Sequence, residues 1–219
     1  MLLNHRRAGW VALAFLVAGA LMLAGVAYSP TLAVVQDVDD AWRSLMIDLR
    51  VSPLVWVAKV LAFVGSPWIN WPLRVAAGVL LAVKRRWVQL SAFALAVVCS
   101  EALIGPVKAL YERPRPPASV VATHGFSFPS GHAVAAAVTA VGLVLVLLPP
   151  GPRRWAWEVR AAVYASLMAL SRTYLGVHWL SDVVTGGLLG VGVAVGWPAL
   201  LQEIRDVRLP RRRAARSPS

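Results

Sequence analysis

Cysteine is almost absent from this 219-residue chain: Cys99 stands alone inside an apolar run. No intrachain disulfide can form, and a single thiol in such a run reads as a small packing residue. Charge is scarce too. Only 15% of the residues are Asp, Glu, Lys or Arg, against about a quarter in soluble domains, which excludes an ordinary water-soluble globule. Acidic residues are the rarer sign, 10 against 22 Lys and Arg, for a formal net charge of +12 at pH 7. No long-period repeat marks a solenoid, and no inverted pair of broken helices marks a transporter.

What the chain has in quantity is apolar length. It is 58% hydrophobic, with a mean hydropathy of +0.66, and its runs approach the ~20 residues that cross a bilayer. Six spans are expected, near 8–28, 67–83, 87–108, 131–149, 155–173 and 179–201. Trp10, Trp68, Trp71, Trp87, Trp155, Trp157, Trp179 and Trp197 mark their ends, where indole rings favour the headgroup layer. The first run is longer than a signal-peptide core and "GVAYSP" is a poor cleavage site, so it reads as a retained span.

The basic residues lie by position rather than in a nucleic-acid arm. Fourteen of the 22 fall at Arg6 and Arg7, in "KRR" 84–86, around 153–160, or from Arg205 onward. With six spans these segments share one side, the pattern of the positive-inside rule. The expectation is an all-α, polytopic bundle forming one domain over 1–204, with both termini cytoplasmic. The basic tail, 205–219, is expected to be disordered and to touch anionic lipid.

Between the first two spans, Val34, Val38, Trp42, Leu45 and Leu49 recur at helical spacing, with Asp37, Asp39, Asp40, Arg43 and Asp48 opposite them. This predicts an amphipathic helix on the outer membrane surface. Pro53 ends it, and 54–65, with Lys59, forms a short half-inserted segment. Gly186, Gly190, Gly192 and Gly196 let the last span pack closely inside the monomer. Arg74 and Glu101 sit deep in the second and third spans, where a charge needs a partner; a salt bridge between them is one reading, with Arg74 snorkelling outward and Glu101 lining the cavity as the alternative. Arg113 reads as a solvated loop charge, with contact to a second phosphate or headgroup the alternative, and His124 as a surface residue.

Three polar groups then stand out, all at the predicted outer ends of spans three to six. They are Lys108, Arg113 and Arg115 in "KALYERPRP", Ser130, Gly131 and His132 in "PSGH", and Arg172, His178 and Asp182 in "SRTYLGVHWLSD". Clustered cations repel unless an anion neutralises them. A guanidinium grips phosphate in a fork, Lys supplies a point charge, and a Ser-Gly helix start offers free N–H groups. Asp182, four residues after His178, can fix its tautomer and leave the other nitrogen to attack. His132 can then protonate a departing oxygen. Zinc ligation by His132, His178 and Asp182 competes, but the nearby cations oppose it.

Together these motifs fit Lys-x6-Arg-Pro, Pro-Ser-Gly-His and Ser-Arg-x5-His-x3-Asp over residues 108–182. In this the chain resembles the phosphatidic-acid phosphatase type 2 superfamily, which includes membrane lipid phosphatases and vanadium haloperoxidases. The resemblance implies a phosphohistidine mechanism: His178 attacks, Asp182 orients it and His132 is the acid. Lys108, Arg115, Ser130, Gly131 and Arg172 would hold the phosphate, with no metal and no cofactor. The implied partners are the bilayer and a lipid phosphate, with no nucleic acid. The substrate expected first is a polyprenyl diphosphate, with phosphatidic acid and phosphatidylglycerol phosphate as alternatives. A vanadate-dependent oxidase and a non-catalytic phosphate-binding protein are the more remote readings. The expected location is a bacterial inner membrane, with the site on the extracytoplasmic face.

Overall fold

The structure, a computed structural model, describes residues 5–214, with side chains from 7 to 206. Those residues form helices throughout: α1 His5–Ala27, α2 Ser29–Asp48, α3 Ser52–Val64, α4 Pro67–Val83, α5 Trp87–Tyr111, α6 Gly131–Leu147, α7 Pro152–Tyr174 and α8 Leu180–Ala214. Proline opens α2, α3, α4 and α7 within their first two positions, where its missing N–H costs no hydrogen bond.

Helix α8 is the hub. It packs along α1, α6 and α5, and α6 in turn packs on α7. Small residues allow this. A Cβ added to Gly190 would lie 2.8 Å from both Ala137 Cβ and Val134 O on α6, and one on Gly192 would lie 2.7 Å from Leu16 on α1. The glycines of the last span therefore serve packing within the monomer, as expected. Leu81, Phe93, Ala96, Val134, Val138 and Val146 fill the core between α4, α5, α6 and α8.

The outer surface is apolar: Trp10, Trp68, Val83 and Leu110 are exposed, a surface that water would not tolerate and lipid requires. This is an integral membrane protein. Among the described residues, α1, α5 and the Leu180–Asp206 part of α8 are long and apolar enough to cross a membrane, and α3 with α4, bent by 43°, makes a fourth if taken as one span. The six spans expected are therefore not all supported: α4, with 17 residues, meets that measure only together with α3, and two others fall short of it. Helix α6 has 17 residues, below the ~20 that span alone. Helix α7 carries Arg153, Arg154, Glu158, Arg160 and Arg172.

The segment expected as an amphipathic helix and a half-inserted piece is α2 and α3. The apolar stripe of α2 is exposed at Val34, Val38, Leu45 and Leu49, while Asp39 and Met46 are buried against the bundle. Asp39 thus departs from the solvated face assigned to it. Tyr174 of α7 secures the α2–α3 corner: its hydroxyl donates to Leu49 O (3.0 Å) and accepts from Val51 N (2.9 Å). Helix α8 continues to Ala214, so the backbone of 205–214 is helical rather than disordered; the expectation for 215–219 lies outside the described residues.

Candidate active site

Helices α5 to α8 alternate in direction, so the C-terminal ends of α5 and α7 meet the N-terminal ends of α6 and α8. That places Lys108 in the last turn of α5, Ser130 at the N-cap of α6, Arg172 in the last turn of α7 and Asp182 in the first turn of α8. The connecting segments, 112–130 and 175–179, bring Arg115 and His178 to the same end.

His178 precedes α8 rather than lying on it, so the four-residue spacing works through the helix start. Its Nδ1 is 3.1 Å from Asp182 Oδ2, and the same oxygen accepts from Trp179 N at 2.9 Å. An ionised carboxylate can only accept, so Nδ1 carries the proton and Nε2 keeps a free lone pair. Nε2 lies 3.5 Å from Arg115 Nη1. His178 is buried, and burial pushes its pKa down to about 4 against the raising effect of Asp182. The imidazole is therefore neutral at neutral pH. Burial also lowers Arg115 from its ordinary value.

Among the described residues, Lys108, Arg115 and Arg172 form no salt bridge of their own, although Asp182 lies within electrostatic reach of Lys108 and Arg115. Lys108 Nζ donates to Phe126 O (2.6 Å) and Ser127 O (3.3 Å). Arg115 donates to the carbonyls of Gly125 (2.9 Å), Val177 (2.8 Å) and His124 (3.1 Å). Arg172 is buried beside Arg115, close enough for mutual repulsion. Arg172 Nε and Ser130 Oγ are both buried without a hydrogen-bond partner, and Ser130 makes no side-chain cap to α6. A Cβ on Gly131 would meet only Ile104, at 3.9 Å, so protein packing does not demand glycine there. His132 sits within electrostatic reach of Arg172 and His178 and lies against the Ala62–Gly65 end of α3. All eight expected site residues thus gather at one end of the bundle.

Arg113 is where the sequence reading fails. It is not solvated but buried, paired with Asp39 at 2.7 Å and with Asp182 at 3.0 Å. Both the solvated reading and the headgroup alternative are replaced by an internal bridge. Asp39 was missed because it sits among Asp37 and Asp40 in a segment of obvious helical amphipathicity; no local signal distinguishes the inward one. His124 is exposed, as expected. The Arg74–Glu101 salt bridge is present at 2.6 Å, with Arg74 Nε also donating to Thr139 Oγ1 at 2.9 Å, tying α4 to α5 and α6.

The chain is similar to several known proteins. Residues 87–206 match the model of the PAP2 superfamily. Phosphatidylglycerophosphatase B of Bacillus subtilis is 34% identical over 164 residues, covering 72% of this chain and 80% of that protein. An undecaprenyl-diphosphatase of Sulfolobus acidocaldarius is 42% identical over 65 residues, so the chain spans 29% of that relative's length. Decaprenylphosphoryl-5-phosphoribose phosphatase of Mycolicibacterium smegmatis is 34% identical over 136 residues, covering 59% of this chain and 69% of that protein. The crystal structure of a transmembrane PAP2-type phosphatidylglycerolphosphate phosphatase from B. subtilis superposes with a TM-score of 0.72 at 25% identity, covering 90% of this chain and 97% of that one. With the signature motifs assembled at one end of the bundle and the match covering more than half of the chain, the protein belongs to the PAP2 superfamily.

Proposed function

We propose that this protein is a metal-independent lipid phosphatase acting through a phosphohistidine at His178. The observation that carries the reading is the convergence just described. A buried, neutral imidazole with its Nδ1 engaged by Asp182 faces Arg115, beside two buried polar atoms, Ser130 Oγ and Arg172 Nε, that lack partners. Such atoms cost about 1–3 kcal/mol each while unpaired, a demand that phosphate oxygens meet.

The reaction has two displacements. His178 Nε2 attacks phosphorus and forms a P–N bond as the P–O bond to the lipid breaks. The leaving oxygen takes a proton from His132. A water, deprotonated by His132, then attacks phosphorus, the P–N bond breaks with its electron pair returning to Nε2, and inorganic phosphate leaves. Lys108, Arg115 and Arg172 hold the phosphate oxygens with Ser130 Oγ and the Gly131 amide, at the positive end of α6. Fixed cations supply the charge stabilisation that phosphoryl transfer needs.

The substrate class rests on the membrane setting and the relatives. An apolar groove of about 1150 Å³, lined by Val141, Leu170, Leu180, Val184 and Leu188, includes Thr173 and Val183, the chain neighbours of Arg172 and Asp182, but none of the eight site residues. A phosphate held at the end of a membrane bundle suits a lipid whose apolar chain stays in the bilayer. Polyprenyl diphosphate is the first choice, with phosphatidylglycerol phosphate and phosphatidic acid next. Relatives named for undecaprenyl, decaprenylphosphoryl and phosphatidylglycerophosphate substrates support that range. The basic segments favour six crossings with both termini cytoplasmic and the site on the extracytoplasmic side of a bacterial inner membrane, α2 lying along the outer surface.

The test is phosphate release in mixed micelles with excess EDTA, comparing the three lipids with wild-type protein and His178→Ala. Release that survives EDTA and vanishes in the variant is expected. Full activity in His178→Ala would refute the assignment, and release abolished by EDTA would refute metal independence.

A further inference from the structure

On the Oδ1 side of Asp182, opposite the oxygen that meets His178, five side chains from three distant parts of the chain form a closed polar network. Arg113, in the 112–130 segment, spends both terminal nitrogens on it. Nη1 donates to Asp182 Oδ1 (3.0 Å) and Ser181 Oγ (2.6 Å); Nη2 donates to Asp39 Oδ2 (2.7 Å) and Gln36 Oε1 (2.8 Å). All four terminal N–H bonds are thereby used. Asp39, from α2, accepts the backbone N–H of Ser181 at 2.8 Å and the Ser181 hydroxyl at 2.5 Å. It caps the first turn of α8 from 142 residues away. The guanidinium also lies 5.5 Å from the Trp179 ring centre and 6.0 Å from that of Phe128. Asp39, Arg113, Ser181 and Asp182 are all buried.

Two carboxylates buried on one guanidinium would be costly to bring together without a cation between them. Arg113 is that cation, and its fork also sets geometry. With Oδ1 of Asp182 held by Arg113, Oδ2 is turned to His178 Nδ1 and Trp179 N. We propose that Arg113 and Asp39 are positioning residues for the nucleophile: Arg113 offsets the buried charge of Asp182 and aims its carboxylate at His178, and Asp39 holds Arg113 and the start of α8 in register. Neither touches the phosphate. The network makes α2, whose apolar stripe is exposed, part of the catalytic framework. The proposal rests on His178 being the nucleophile.

The experiment compares His178→Ala, Arg113→Gln, Arg113→Lys and Asp39→Asn in detergent micelles with a polyprenyl diphosphate. Steady-state kcat and KM, the single-turnover rate of phosphoenzyme formation and the inhibition constant of inorganic phosphate are measured. Arg113→Gln is expected to lower kcat and phosphoenzyme formation together by roughly 100-fold, in the upper range for residues that orient a reacting group. KM and phosphate inhibition should stay within about twofold, as for loss of an interaction acting only on the chemical step. Arg113→Lys, which keeps the charge but not the fork, recovers about half of that loss on a logarithmic scale. Asp39→Asn, isosteric and therefore the variant least able to disturb folding, lowers kcat about 10-fold. Wild-type kcat in Asp39→Asn and Arg113→Lys, with His178→Ala inactive, would overturn the positioning role while leaving the nucleophile intact. Weakened phosphate binding at unchanged kcat would overturn it too, by making Arg113 a phosphate ligand. Activity in His178→Ala would instead remove the reading on which the proposal stands.

Discussion

An imidazole buried among guanidinium groups is easier to keep neutral than charged, and His178 is held so by burial, with its pKa near 4. That displacement has a sign. The folded value lies below the unfolded 6.5, so the proposed nucleophile stays unprotonated well into acid. The acid limb of kcat/KM assigned to His178 should lie near pH 4 and not near 6.5, with activity lost as pH falls through that region. The same shift makes the folded state bind fewer protons than the unfolded state between those values. Its contribution to stability is full above about pH 6.5 and declines as pH falls toward 4. A pH–rate profile with the His178 limb at 6.5 would contradict the burial argument. Asp182→Asn keeps the side-chain shape but removes the charge that orients Nδ1–H. It should cut kcat by roughly 100- to 10,000-fold, measured with the same lipid substrate. At this scale the sequence was legible wherever the chemistry is local. Lys108 and Arg115, Ser130 and Gly131 with His132, and Arg172, His178 and Asp182 each announce themselves by spacing. Asp39 and Arg113 do not, because they are 74 residues apart in the chain and each looks solvated among its own neighbours.

At the scale of elements, helix starts and ends do the positioning, and close packing holds them there. The α6–α8 contact is one of these. Gly190→Ala would force its Cβ to 2.8 Å from Val134 O and Ala137 Cβ and should destabilise by about 1–3 kcal/mol. Gly187→Ala, with no atom within 4 Å of the new Cβ, should leave stability equal or slightly higher by helix propensity. Thermal unfolding in detergent separates the two, and equal melting temperatures would remove the packing claim. The Arg74–Glu101 bridge makes a second comparison. Glu101→Gln strips a buried guanidinium of its counterion and should cost about 1–3 kcal/mol, below the full penalty for a buried pair because Glu101 is 40% exposed. Adding Arg74→Met should return most of that loss. This pair could be foreseen because a charge deep in an apolar run needs a partner, and the span offset put both at one depth. The inward turn of α2 could not. Its apolar stripe faces out, and the helix is anchored instead by one carboxylate and by the contacts of Tyr174.

For the molecule as a whole, composition pointed to the class, and the positions of the basic residues underlie the sidedness proposed. Few charges, long apolar runs and tryptophans at their ends reduced the choice to a membrane bundle; of the six expected spans, those at α1, α5 and α8 are long and apolar enough to cross alone among the described residues. The sequence does not show the 43° bend between α3 and α4, because it depends on what α3 packs against, which is α7. The basic segments yield a sidedness prediction: in right-side-out vesicles, an impermeant protease should leave the C-terminal tail intact until the membrane is opened. Cleavage of the tail in sealed vesicles would invert the assigned topology.

The central claim is that His178 carries the phosphoryl group. Rapid quenching of the wild-type protein with a polyprenyl diphosphate labelled at its terminal phosphorus, in excess EDTA, tests it most directly. The expected result is a transient label that is stable in base, labile in acid, located at His178 and absent from His178→Ala. Undiminished turnover in that variant, or a label on another residue, would contradict it.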